Sequence, residues 1–187
     1  MRDHKKIMNT TPKNMEDEIY SKEKSCKVLK TDTHKGVRFY ITTIGFHPCA
    51  YVECSKEFID KHTSEYGDIE GITVHGGVTF TGHLLNLRTF HEKRCYDGKF
   101  IPHGVDGDVI DLREKYAFGW DYGHCNDWEG YYTDAENTMW EHKKWTVQEI
   151  EQECRSAVDQ YLDLMKSDEK KSSALDLAVE SMCRIGG

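Results

Sequence analysis

Trp145-Thr146-Val147-Gln148-Glu149-Ile150 begins the most regularly patterned stretch of this 187-residue chain. Thr146 and Glu149 have the spacing of a capping box, in which each side chain bonds the backbone N–H of the other. Trp145 and Ile150 have the spacing of a hydrophobic staple. Apolar residues then recur at steps of three and four and predict an amphipathic helix over 146–166: Val147, Ile150, Cys154, Ala157, Val158, Tyr161, Leu162 and Met165. The solvent-facing side is predicted to carry Glu151, Glu153, Arg155, Asp159 and Asp163.

Upstream of this helix, β-prone runs predict the sheet on which it packs. Residues 26–30 and 37–43 flank a turn-rich linker at 32–36 and predict a β-hairpin. Further strands are predicted at 49–53, at 69–80 and at 115–121, and Ser55 is predicted to cap a short helix. The predicted fold class is therefore α+β, with a mixed or antiparallel sheet covered on one face by the amphipathic C-terminal helix.

The chain divides where this patterning fails. Residues 1–24 hold few apolar positions and are predicted to be a flexible arm. Residues 25–166 are predicted to form a single α+β domain, interrupted at about 84–112 by a loop-rich insert that contains two Asp-Gly steps. After a charged break at 167–171, the apolar positions of 174–185 predict a short helical tail within 167–187.

Composition excludes several classes of function. The net charge of −8 disfavours a duplex nucleic acid partner, whose affinity comes from lysine and arginine, although a small anionic ligand could still enter a local pocket. No run approaches the roughly 20 apolar residues that span a bilayer. Seven cysteines without a CxxC pair, behind an N-terminus with no apolar run, predict free thiols in a reducing cytoplasm.

The stretch Val74-His75-Gly76-Gly77-Val78-Thr79-Phe80-Thr81-Gly82-His83 is the first candidate site. A histidine at a predicted strand end, followed by two glycines, allows a ligand to reach both the imidazole and the backbone N–H groups of Gly76 and Gly77. Thr79 and His83 join the predicted ligand-binding set. The alternative is a tight β-turn in which His75 only fills a polar edge.

A second candidate stretch is Gly119-Trp120-Asp121-Tyr122-Gly123-His124-Cys125-Asn126-Asp127. Asp121, His124 and Asp127 stand at steps of three, so they could bind a divalent metal, or a carboxylate could orient a histidine for acid–base chemistry. No cofactor is otherwise predicted. The alternative is a turn in which both aspartates bond their own backbone. Trp120 and Tyr122 could stack on a ring or form core, and His47, before Pro48, is a weaker catalytic candidate.

These blocks resemble a family of small proteins encoded by bacteriophages and prophages. The family reads H-x-C-G-Y-V, V-H-G-G-L-T-[FY]-[ST]-G and G-F-D-x-A-H-x-G-D, and the similarity covers roughly residues 44–165. This sequence departs from the pattern at five positions: Ala50, Val78, Trp120, Gly123 and Asn126. The histidines and aspartates match, so the resemblance implies a phage origin, the cytoplasm of an infected bacterium and a shared site.

Three functions are compatible with this resemblance. The first is an enzyme that hydrolyses a nucleotide-derived immune signal, such as a cyclic dinucleotide or a cyclic ADP-ribose, with catalytic residues His75, His124, Asp121 and His47. The second is a non-catalytic sponge, a symmetric homo-oligomer that holds such a signal by aromatic stacking and by the Gly76 and Gly77 amides. The predicted ligand-binding residues are Gly76, Gly77, Thr79, His83, Trp120, Tyr122 and Asp127. The third is a decoy that binds a host protein.

Overall fold

The computed structural model describes residues 27–43, 46–84, 114–129 and 142–185, with side chains described from residue 28 to 175. The predicted arm at 1–24 and nearly all of the predicted insert lie outside these ranges. Within these ranges, five strands and two helices follow in order: β1 (Lys27–His34), β2 (Val37–Thr43), β3 (Pro48–Cys54), α1 (Lys56–His62), β4 (Phe80–His83), β5 (Tyr116–Asp121) and α2 (Val147–Ile185).

The sheet is antiparallel throughout, with the strand order β1-β2-β3-β5-β4. β5 runs between β3 and β4, so the end of β5 lies beside the beginnings of both neighbours: Cys49 pairs with Asp121, and Phe80 pairs with Gly119. The segments before β3 and β4 and after β5 therefore meet at one end of the sheet. This arrangement confirms the predicted α+β class.

A two-residue turn joins β1 to β2, as the predicted hairpin requires; β2 has its predicted bounds, but β1 is longer than predicted. Lys35 and Gly36 form the turn with φ values of 49° and 84°. Positive φ at both central positions is the type I′ geometry, whose twist matches that of the flanking strands. His34 already pairs with Val37, so most of the predicted linker belongs to β1.

α2 covers one face of the sheet, as predicted. Its apolar residues pack against inward-facing side chains of the strands and of the chain between β3 and β4. The principal members of this core are Phe39, Ile41, Val52, Phe58, Ile69, Ile72, Val78, Phe118, Trp120, Ile150, Cys154, Ala157, Val158 and Tyr161. A second buried cluster on the opposite face contains Tyr40, Cys49, Tyr51, Leu84 and Ala117.

The predicted capping box begins α2. The Thr146 N–H donates to Glu149 Oε2 at 2.9 Å, and the Glu149 N–H donates to Thr146 Oγ1 at 3.2 Å. Trp145 packs against the core cluster that contains Ile150. Within the part of the chain that the structure describes, neither helix combines the length and apolar character needed to cross a bilayer.

The predicted break in the C-terminal helix is wrong. α2 continues through 167–171 and on to Ile185, so the predicted separate tail is the second half of one helix. Residues 167–171 include no glycine or proline, and their charged side chains are compatible with a helix whose surface faces solvent. Asp168 makes the last contact of α2 with α1: its carboxylate pairs with Lys61 at 2.8 Å and with His62 at 2.7 Å. Residues 169–175 are all exposed.

The strand predicted at 69–80 is also wrong over most of its length. Ile69 makes one isolated bridge to Thr63, and β4 begins only at Phe80. Gly71, Gly76 and Gly77 have φ values of 87°, 66° and 86°, which turn the chain out of the extended conformation. The alternating apolar residues of this segment reflect burial beneath α2 and not a strand.

Hydrogen bonds to Glu151 join α2 to β1 and predict a pH effect. Bonds from Lys30 and Arg155 hold the pKa of Glu151 below its ordinary value of 4.5. A carboxylate with a depressed folded-state pKa stabilises the fold above its unfolded-state pKa, and this contribution is lost as the pH falls through the folded-state value. We therefore expect acidification below about pH 5 to destabilise the natural protein more steeply than Glu151→Gln. Urea denaturation at several pH values measures this, and parallel curves would contradict it.

Candidate functional site

His75 and Asp127 form the centre of the candidate site. His75 lies in the turn between Val74 and Gly77, where the Gly77 N–H donates to the Val74 carbonyl at 3.1 Å. His75 Nε2 lies 2.7 Å from Asp127 Oδ2, across 52 residues of sequence. The Asp127 side chain is only 3% exposed, whereas that of His75 is 26% exposed. A partly open imidazole is therefore held by a buried carboxylate.

Asp127 is fixed by two further donors. The Trp145 indole N–H donates to Oδ1 at 2.7 Å, and the His124 N–H donates to Oδ2 at 3.0 Å. Both carboxylate oxygens thus accept hydrogen bonds inside the protein, which compensates the burial of the charge. The spacing of Trp145 in the sequence predicts only its part in the hydrophobic staple and gives no sign of its bond to Asp127.

Three aromatic rings surround the His75 imidazole. The Tyr122 ring is nearly parallel to it, with a centroid distance of 5.2 Å and an interplanar angle of 7°. Trp145 lies 4.8 Å away and His124 lies 5.4 Å away, both tilted. His75 and His124, two of the three histidines that the sequence indicates as catalytic, are therefore neighbours, although they are separated in sequence by β4, the residues that follow it and β5.

His124 lies directly on the backbone of Gly76. A Cβ atom added to Gly76 would be 1.9 Å from His124 Nε2, so only glycine leaves room for the ring. His124 Nε2 is buried and has no hydrogen-bond partner among the residues that the structure describes; Asp121 Oδ1 lies 3.7 Å from it. Protonation of His124 would turn this approach into a charge pair.

Asp121 and His47 complete the edge of the site. Asp121 accepts from Thr79 Oγ1 and from the Gly123 N–H, both at 3.0 Å. The His47 ring lies against Gly123, where an added Cβ would be 2.8 Å from His47 Cδ2. Cys49 Sγ is 3.8 Å from His47 Nδ1, but burial raises the pKa of the thiol to about 12, which disfavours the reactive thiolate.

Glu153 belongs to the site. The sequence pattern predicts it on the solvent-facing side of the helix, and this prediction is wrong. Its Oε1 accepts the His75 N–H at 2.7 Å, and its Oε2 accepts the Tyr122 hydroxyl and, at 3.3 Å, the Trp120 indole N–H. Burial, together with the charge of Glu153, raises the pKa of Tyr122 far above its ordinary value. Spacing could have indicated this position, because Glu153 lies three residues after Ile150 and four before Ala157, and residues at these steps share one face of a helix.

Several predicted ligand-binding residues are used for other purposes. Trp120 and Tyr122 are 1% and 0% exposed, so they are core residues and cannot stack on a ligand. The Gly77 N–H is bonded within the turn and is not part of an anion nest. His83 packs on Tyr116 at the opposite end of β4, away from the site.

The predicted metal set is not supported by the geometry. Asp127 is committed to His75, His124 and Trp145, and Asp121 bonds Thr79 and Gly123. Among the described residues, no group of three or more His, Cys, Asp and Glu side chains is arranged to hold a metal ion. The carboxylates are thus engaged in orienting neighbouring groups within the protein.

A lysine adjoins the aromatic wall of the site. Lys143 Nζ lies 3.4 Å from the centroid of the Trp145 ring, in a cation–π contact, and 3.0 Å from a Glu149 oxygen. The Lys143 N–H donates to the Asn126 carbonyl at 2.7 Å, and the Trp128 N–H donates to the Lys143 carbonyl at 2.8 Å. These backbone hydrogen bonds join the segment before α2 to the loop that contains His124 and Asp127.

No protein-family model matches the chain, and neither a curated protein nor a solved structure was found to match it. The resemblance to phage-encoded proteins therefore stays a prediction.

Proposed function

We propose that the chain is an enzyme in which His75 and His124 exchange protons with a small phosphate-containing molecule and hydrolyse it. The observation that carries the proposal is the His75–Asp127 hydrogen bond beside a second imidazole whose centroid is 5.4 Å away. Two adjacent imidazoles can act on one substrate, one removing a proton and the other delivering one. Imidazole suits both tasks because its charge changes near neutral pH.

Asp127 determines which nitrogen of His75 is available to a substrate. A carboxylate only accepts hydrogen bonds, so the proton of a neutral His75 ring lies on Nε2, and Nδ1 keeps its lone pair. Within the described ranges, Nδ1 has no hydrogen-bond partner. Nδ1 is therefore the atom that takes a proton in the proposed reaction.

In the proposed hydrolysis, His75 Nδ1 accepts a proton from water as the water oxygen bonds to phosphorus. A protonated His124 gives its Nδ1 proton, because its Nε2 is buried, to the oxygen that leaves as the old P–O bond breaks. Asp127 stabilises the imidazolium formed at His75, and Asp121 stabilises the one consumed at His124. Exchange of protons with water then restores both rings.

We propose a nucleotide-derived immune signal as the substrate, a cyclic dinucleotide or a cyclic ADP-ribose, acted on in the cytoplasm of an infected bacterium. This choice rests on the resemblance to phage proteins, because small accessory phage proteins often counter host immunity.

Sequestration without turnover is less well supported. The sponge hypothesis depended on aromatic stacking by Trp120 and Tyr122 and on phosphate binding by the amides of Gly76 and Gly77. Both aromatic residues are buried, and the Gly77 amide is already bonded. The paired histidines, in contrast, are positioned for proton transfer.

Turnover and sequestration can be separated by one assay. The purified protein is incubated with a panel of cyclic dinucleotides and cyclic ADP-ribose isomers and then heat-denatured, and the released nucleotides are identified by chromatography. We expect converted product from the natural protein, and a loss of at least about 100-fold in rate for His75→Ala and for His124→Ala. His83→Ala is the matched control, because this histidine lies at the other end of β4.

Two results would contradict the proposal. Intact nucleotide released on heating would indicate a sponge. Full activity of the His75→Ala and His124→Ala proteins would show that catalysis occurs elsewhere in the chain.

A further inference from the structure

We infer that Glu153 is a positioning residue that sets the orientation of the His75 imidazole, an inference that rests on the proposed role of His75 as proton acceptor. Glu153 lies on α2, 78 residues from His75 in sequence, and touches no atom proposed to react. It acts on His75 through two contacts, one with the backbone and one with a neighbouring ring.

The backbone contact is the hydrogen bond from the His75 N–H to Glu153 Oε1, at 2.7 Å. It fixes the main-chain end of His75 within a turn that also contains Gly76 and Gly77, both in the left-handed region. A glycine pair has wide backbone freedom, so the turn needs an external contact to hold one conformation. Glu153 supplies that contact from a rigid helix.

The ring contact passes through Tyr122. Glu153 Oε2 accepts the Tyr122 hydroxyl, and the Trp120 indole N–H donates to both the Tyr122 hydroxyl, at 2.9 Å, and Oε2, at 3.3 Å. These bonds hold the Tyr122 ring nearly parallel to the His75 imidazole. The plane of the imidazole is thus set by Tyr122, and its Nε2 end is set by Asp127.

Together these contacts determine the direction of His75 Nδ1. With Glu153 removed, Asp127 still holds Nε2, but the backbone and the Tyr122 ring can both shift, so the imidazole can tilt about that bond. A misplacement of about 1 Å in a catalytic group can cost as much as about 100-fold in rate. Substrate binding that does not involve His75 Nδ1 would be unaffected.

Glu151 provides a matched control on the same helix. It also joins α2 to the sheet, through Lys30 on β1 and through Arg155, which in turn bonds Asp32. Glu151 makes no contact with His75 or Tyr122 among the bonds that the structure describes. Loss of either glutamate weakens the docking of α2, but only loss of Glu153 should disturb His75.

The test combines NMR with kinetics. The His75 ring N–H bonded to Asp127 should give a downfield proton resonance, assigned by its absence from His75→Ala. We expect Glu153→Ala to shift or broaden this resonance and to lower kcat about 10- to 100-fold with KM unchanged. Glu151→Ala should leave both the resonance and kcat unchanged. Glu153→Gln, which keeps one acceptor oxygen, should restore part of kcat.

The outcomes are distinct. An unshifted resonance in Glu153→Ala, or equal shifts in Glu153→Ala and Glu151→Ala, would overturn the positioning role. If the natural protein converts no nucleotide but the resonance shifts only in Glu153→Ala, the proposed function fails and the positioning of the ring is still supported. Should Glu153→Ala fail to fold, a smaller shift of the same resonance in Glu153→Gln is the supporting result, and no shift overturns the inference.

Discussion

Replacing Gly76 by alanine should lower turnover at least about 100-fold. A methyl group at Gly76 would lie 1.9 Å from His124 Nε2 and 2.1 Å from Cδ2, far inside contact distance, so the imidazole must leave its place. Gly76 also has a φ of 66°, a region that costs alanine roughly 1 to 2 kcal/mol. The substitution therefore combines a modest loss of stability with the displacement of one proposed catalytic group.

Gly67→Ala is the control that separates these two effects. Gly67 has a φ of 90° and no atom within 4 Å of an added Cβ, so it imposes backbone strain without a clash. Urea denaturation should show that both variants are destabilised, whereas only Gly76→Ala should lose turnover. Equal turnover in the two variants would mean that the position of His124 does not matter for catalysis.

Asp127→Asn should have the second large effect, on both stability and rate. The amide must direct its NH₂ group either toward the Trp145 indole N–H or toward the His124 N–H and the His75 ring. Either orientation places a donor against a donor in a buried site, which costs about 1 to 3 kcal/mol. If the NH₂ group faces His75, the ring proton moves to Nδ1, and the proposed base can no longer accept a proton.

Asp168→Asn is the corresponding control. Asp168 Oδ2 lies 2.7 Å from His62 Nε2, the same distance as in the His75–Asp127 pair, but this pair joins α1 to α2 away from the site. We expect the Asp127→Asn protein to lose at least about 100-fold in rate, and the Asp168→Asn protein to keep its activity. Turnover assays and urea denaturation measure the two effects. Similar losses of rate in both variants would indicate that the Asp127 pair is only structural.

Local patterns in the sequence predicted the elements that depend on local physics. Spacing predicts the capping box at Thr146 and Glu149, and turn chemistry predicts the hairpin of β1 and β2. Both are present. The sequence also predicts that His75, His124 and Asp127 meet at neighbouring strand ends. His124 and Asp127 do follow β5, whereas His75 lies in a turn five residues before Phe80, where β4 begins. The order of the strands could not be anticipated.

Features that depend on tertiary contacts were mispredicted or missed. Glu153 is charged and looked solvent-facing, yet its burial is compensated by three donors from distant segments that no local pattern reveals. The alternation of Ile69 to Val74 matched a strand because the same residues are buried against α2, while the left-handed glycines decide the conformation. Trp120 and Tyr122 looked like a stacking surface because aromatic residues serve both in cores and at ligands.

The long sequence separations within the site have a consequence for synthesis on the ribosome. Asp127 is synthesised 52 residues after His75, and Glu153 is synthesised 78 residues after it. When both histidines have just been synthesised, α2 has not. Closing these long loops costs chain entropy that is offset only when the helix packs on the sheet. The site therefore assembles only after translation has passed the first turns of α2, and a chain that stops earlier carries both histidines without the contacts that orient them.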